Sequence, residues 1–178
     1  MACLDLEGFL ENLKGTGYDQ YPISAKTPPK PKGYNCIAYA AGHTDKWWWP
    51  DPKNYAYYWP PHLPREFPNT ETKENFIRAF EWKGYKQCSN GKHENGIEKV
   101  AIFLKNNRPT HAARQLESSL WTSKCGEMQD IQHENLSAVE GAIYGTAVIF
   151  MHRRRDGKPF LFDAIFAFIK RFLPKRSP

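Results

Sequence analysis

KVAIFLKNNRPTHAARQLESSLWTSK, Lys99 to Lys124, is the stretch that decides the fold. It holds three strand signals: KVAIFL from Lys99, HAARQL from His111 and LWTSK from Leu120. Turn-forming KNNRP and ESS separate them, so the strands follow one another through short connections. A fourth apolar run, GTAVIFM, ends at Met151. Upstream the period changes. TETKENFIRAFEWKGY predicts a helix capped by Thr70 or Thr72, with Phe76, Ile77 and Phe80 at helical spacing before Gly84. A short helix is also expected over residues 1–14, with Leu4, Leu6, Phe9, Leu10 and Leu13 as its apolar side. Helices first and an antiparallel sheet second make an α+β domain.

The 178 residues suffice for one core and not for two full domains. Aromatic residues at 15% favour a folded globule, while 14 prolines and 12 glycines require long irregular connections. Two such connections stand out. YPISAKTPPKPKGYN must approach the body extended, and DKWWWPDPKNYAYYWPPHLPREFP reads as a packed aromatic loop. The net charge of +6 lies entirely between His152 and Pro178, where eight Lys or Arg face two Asp. The sequence therefore divides into a neutral domain over 1–151 and a basic, apolar tail over 152–178. Phe160 to Leu173 is too short to span a bilayer and reads as an amphipathic helix for a membrane surface or a protein partner. Its alternative is docking of Phe162, Ile165, Phe166 and Ile169 on the body. A neutral body offers no nucleic-acid surface.

MACLDLEGFLENLKG has no basic residue before its apolar part and contains acidic ones, so no secretory signal is expected. The expected location is the cytoplasm, with export by a route that needs no such signal left open. Cys3, Cys36, Cys88 and Cys125 show neither a CxxC pair nor zinc-site spacing, which predicts reduced thiols, no metal and no cofactor.

YNCIAYAAG carries the chemistry. Asn35 caps a short helix that puts Cys36 in its first turn, where free N–H groups favour a thiolate. A nucleophilic cysteine also needs a base, and His111 in RPTHAARQL is the best placed of six histidines, flanked by small Ala112 and Ala113. His133 is its rival. A hairpin around residues 117–119 would bring Cys125 opposite His111, with Ser123 one diagonal step away. Ser123 or Asp130 is then the group expected to orient the imidazole. Trp47, Trp48 and Trp49 cannot all face one way. They supply a substrate wall, or a plug over the core.

Asn-Cys at a helix start, a histidine opening a later strand and then a Trp-containing strand resemble the papain-like superfamily, especially its bacterial cell-wall amidopeptidase and transferase branches. Between about residues 30 and 151, the run YNCIAYAAG, WWWPDP, YYWP, EKVAIF, PTHAARQL, LWTSKCG, DIQH and YGTAVIFM also looks like a bacterial domain family of unassigned function. The resemblance implies a papain-like layout with the cysteine helix packed on an antiparallel sheet. In the cell-wall enzymes the histidine directly precedes a VAIF-like strand, whereas His111 lies one strand later.

The residues together lead to the expectation of a cysteine-dependent hydrolase or acyltransferase acting on an amide or ester of a peptide or protein substrate, with Cys36 as nucleophile and His111 as base. An interaction module using the aromatic loop and the tail is the alternative. A metal site of Cys36, His111 and His133 is a third.

Overall fold

The structure, a computed structural model, describes residues 23–25, 33–51, 57–60, 70–125 and 130–160. Seven strands form one antiparallel sheet: β1 (Ile23–Ala25), β2 (Lys86–Cys88), β3 (Ile97–Lys105), β4 (Arg108–Gln115), β5 (Trp121–Lys124), β6 (Asp130–His133) and β7 (Thr146–Arg154). Their order across the sheet is β1-β6-β5-β4-β3-β7-β2. Among the described residues two α-helices join it, α1 (Cys36–Ala40) and α2 (Lys73–Trp82). The α+β class read from the sequence is the observed one. The helix expected over 1–14 and most of the proposed tail helix lie outside the described residues.

Turn chemistry sets the register of the central strands. Asn106 and Asn107 have φ of 51° and 61°, so β3 and β4 are joined by a two-residue turn whose twist matches the strands. Leu104 then pairs with Pro109 and Phe103 with His111, across a bulge between Phe103 and Leu104. His111 therefore sits in the middle of β4 rather than at its start. The ladder from β4 to β5 pairs Ala113 with Ser123 and Gln115 with Trp121, through a turn at 116–119 as expected. DIQH, which carries none of the strand signals of the other runs, is β6: each of its four residues pairs with β5.

Side chains alternate across the sheet and build two cores. One face carries Val100, Ile102, Ala112 and Met151 under the helices, with Ile37, Phe76, Phe80 and Trp48. The other carries Ala101, Phe103, Ala113, Trp121 and Ile131, covered by Val139 and Tyr144. Gly91 is required on this second face, because a Cβ there would stand 2.9 Å from the Trp121 ring and 3.0 Å from that of Phe150.

The body does not end at Met151. β7 continues to Arg154, and Glu98 gathers the basic residues that follow the apolar run. Arg153 Nη2 lies 2.7 Å and Arg155 Nη1 3.3 Å from its carboxylate, with the Arg114 guanidinium 3.5 Å away. Part of the basic segment is thereby neutralised inside the fold. Among the described residues, no helix is long and apolar enough to cross a membrane.

Candidate active site

Asn35 fixes the start of α1. Its Oδ1 accepts the Ala38 N–H at 3.1 Å and the Trp48 N–H at 3.2 Å, while Nδ2 donates to the Trp48 carbonyl at 2.7 Å. One buried amide thus caps the helix and pins the aromatic loop to it. Flanking tyrosines seat α1 on the sheet. The Tyr34 hydroxyl donates to the Asp130 carboxylate at 2.8 Å, and the Tyr39 hydroxyl lies 3.0 Å from Thr122 Oγ1.

Cys36 occupies the first helical position, 7% exposed. The β4–β5 ladder ends at Ala113 and Ser123, and the next amide along β4, Ala112, donates its N–H to the Cys36 sulfur. The thiol therefore lies against the backbone of the residue that follows His111. Burial pushes it up to about 11, against the pull of the N–H groups of Ala112, Ile37 and Cys36 itself. The thiolate expected at a helix start is not the resting form, because desolvation outweighs the dipole of a five-residue helix.

His111 is fully buried. Its ring projects to the face opposite the Ala112 side chain, with Phe103 edge-on at 5.2 Å and Tyr144 stacked at 4.1 Å. Neither ring nitrogen has a hydrogen-bond partner. Burial, and secondarily the nearby His133, push the imidazole down to about 3. The resting pair is a neutral thiol, seated against the backbone of Ala112, and the neutral imidazole of the residue before it, and the two are not hydrogen-bonded to each other.

Neither residue expected to orient His111 bonds to it. Ser123 shares its face, but Ser123 Oγ lies 3.0 Å from His133 Nε2. His133 Nδ1 lies 2.7 Å from the Asn135 carbonyl, which only accepts, so Nδ1 carries the hydrogen and Nε2 takes the serine O–H. Burial pushes His133 down to about 4. Asp130 alternates to the helix face and is bound by Tyr34. Tyr144 is the partner that sequence reasoning missed. The only trace of it is the glycine pair that brackets it, Gly141 and Gly145, which bond to each other in both directions at 2.8 and 2.7 Å.

The three tryptophans divide. Trp48 was expected with its neighbours on a substrate wall, but it is core, packed against Tyr58 at 5.2 Å and His43 at 4.9 Å. Trp47 is half-buried beside Tyr57, at 5.9 Å. Trp49 donates from Nε1 to Glu71 at 3.0 Å and lines a groove of about 1070 Å³ between the aromatic loop, the start of α2 and the β3–β4 turn. A second hollow of about 440 Å³ shares Trp49, Glu71, Asn106 and Arg108 with it and runs on to Tyr144. The two adjoin at these shared residues, and the ring that covers His111 lines the second.

A family model spans residues 25–152, which takes in both helices, β2 to β6 and most of β7. The chain belongs to the family described as domain of unknown function (DUF7689). No curated protein and no solved structure matches the chain. The DUF7689 match covers Cys36, His111, Tyr144 and Trp49 alike and carries no link to papain-like peptidases. Among the described residues of this DUF7689 domain, no three His, Cys, Asp or Glu side chains are grouped so as to hold a metal ion, which leaves the Cys36, His111 and His133 metal reading without support.

Proposed function

We propose that this domain is a cysteine-dependent hydrolase or acyltransferase of papain-like layout, acting on an amide or ester bond with Cys36 as nucleophile and His111 as base. One observation carries the reading. The Cys36 sulfur takes the backbone N–H of Ala112, while the imidazole of the preceding residue is buried with both nitrogens unpartnered. An unpaired buried polar atom costs about 1–3 kcal/mol, and the His111 side chain carries that cost at both of its nitrogens. Active sites are where such a cost persists.

In this reaction the Cys36 S–H proton passes to His111 as sulfur adds to the acyl carbon. His111 then returns the proton to the departing amine or alcohol, leaving a thioester on Cys36. Water releases the acid; an amine would instead receive the acyl group. In the same step the backbone N–H of Cys36, at the start of α1, donates to the developing oxyanion. The groove walled by Trp49 supplies the approach for a peptide or protein side chain.

The test is the rate of iodoacetamide alkylation of each cysteine in the folded protein, read by mass spectrometry. General-base assistance predicts that Cys36 outpaces Cys125 and that His111→Leu slows Cys36 about a hundredfold while leaving Cys88 unchanged. A Cys36 that is inert until the protein unfolds would remove the proposal. The remaining reading, an interaction module, would then rest on the same groove.

A further inference from the structure

Two rings pack on His111, and they differ in what lies beyond them. Phe103 is fully buried, whereas Tyr144 is half-buried and forms part of the groove wall with Trp49, Pro109 and Thr110. Tyr144 is thus the layer between the groove and an imidazole that has no exposed surface of its own. Its backbone is fixed to the β3–β4 hairpin. Thr110 Oγ1 donates to its carbonyl, and Lys105 Nζ donates to the carbonyl of Ala142 in the same loop. Gly145, at φ +76°, lets the loop press so close that a Cβ there would stand 2.0 Å from the Leu104 oxygen.

The side chain packs on the second core. It has the stack on His111 and a hydroxyl that donates to the Cys125 sulfur. Cys36 lies close enough to the same hydroxyl to disfavour its charged form. One residue therefore touches or neighbours every reactive group of the site.

We propose that Tyr144 is the positioning residue of His111: its ring holds the imidazole and seals it from the groove, and rotation of that ring opens the Cys36–His111 pair to an acyl group lying beside Trp49. The inference rests on the proposed cysteine chemistry for its purpose. Its structural content stands apart from that chemistry. Such a rotation turns one side chain about a backbone fixed by Thr110 and needs no change in the β3–β4 hairpin.

Carbethoxylation of histidines by diethyl pyrocarbonate, mapped by mass spectrometry on the full chain near pH 6, reads the seal directly. Wild-type His111 should react far more slowly than partly exposed His43. Tyr144→Phe, which keeps the ring, should match wild type. Tyr144→Ala should raise modification of His111 about tenfold or more with His133 unchanged, as local opening confined to one contact requires. His111 as slow in Tyr144→Ala as in wild type would overturn the proposal. So would a parallel rise at His111 and His133, which would mark general loosening of the face. The readout involves no cysteine, so an unreactive Cys36 would leave a positive result standing. A negative result would leave the acylation of Cys36 untouched.

Discussion

Glu98 and His111 are buried polar groups on neighbouring strands, and the fold treats them in opposite ways. Glu98 on β3 receives the Tyr85 hydroxyl at 2.6 Å and two nitrogens of Arg153 at 2.9 and 2.7 Å, with Arg155 and Arg114 close by. Burial raises its carboxyl, but Tyr85 and the arginines outweigh that and hold it below the usual range. His111 on β4 has no such company, and burial, with a smaller push from His133, decides its state. The difference separates structure from chemistry. A group whose partners are all supplied serves the fold, and a group left unpaired in the same sheet is the better candidate for reaction.

The largest effect that would break this comparison is at Glu98. Glu98→Gln leaves three arginines around a neutral amide and should destabilise by about 4 kcal/mol in urea unfolding, the usual cost of breaking a buried ion pair. A loss below 1 kcal/mol would mean that Glu98 is no better bound than a surface carboxylate.

Acid separates the two groups by pH window. The folded value of His111 is depressed from 6.5 to about 3, so as pH falls below about 6.5 the unfolded chain binds a proton that the folded chain refuses, and stability declines. Glu98 is also depressed, but its contribution is present above the unfolded carboxylate value and is lost only as pH drops below about 4.3. Between pH 6.5 and 4.5, His111→Leu should therefore abolish about 2 kcal/mol of acid sensitivity, leaving the share of His133. The same variant should be about 1 kcal/mol more stable than wild type at pH 7, because it removes an unpaired buried group. Equal pH slopes for the two proteins would show that His111 is solvated.

Asn35 belongs with Glu98 as a fully bonded group. Asn35→Ala removes the α1 cap and both bonds to Trp48, an expected loss of about 2 kcal/mol by thermal or urea unfolding. Trp49→Ala belongs with His111 and should be the smallest effect on stability, about 1 kcal/mol or less, since the ring lines an open groove. Its signature should be a raised KM for ester substrates.

Much of the fold was legible because turns announced it. Asn106-Asn107, the residues at 116–119 and the cap at Asn35 each act locally, and the sequence around them places β3, β4, β5 and α1. β6 was not legible, because DIQH has a single aliphatic residue and becomes a strand only through its neighbours β5 and β1. The site was legible in part. Cys36 and His111 are residue types that advertise themselves, but which face each reaches depends on a ladder that ends one residue short of Ala112. Ser123 lost its expected role to His133 for the same reason: a hydroxyl bonds to the nearest acceptor, and sequence spacing does not show which that is. Tyr144 carries no reactive signature at all, and its importance comes from what it covers.

Single-turnover acylation by p-nitrophenyl acetate, with the acetylated residue mapped, tests the central claim most directly. The account predicts a p-nitrophenol burst that places one acetyl group on Cys36 in wild type and is absent in Cys36→Ala. It should also be absent in His111→Leu, although that variant is folded and more stable. A burst undiminished in His111→Leu, or acetyl groups on other side chains alone, would contradict it.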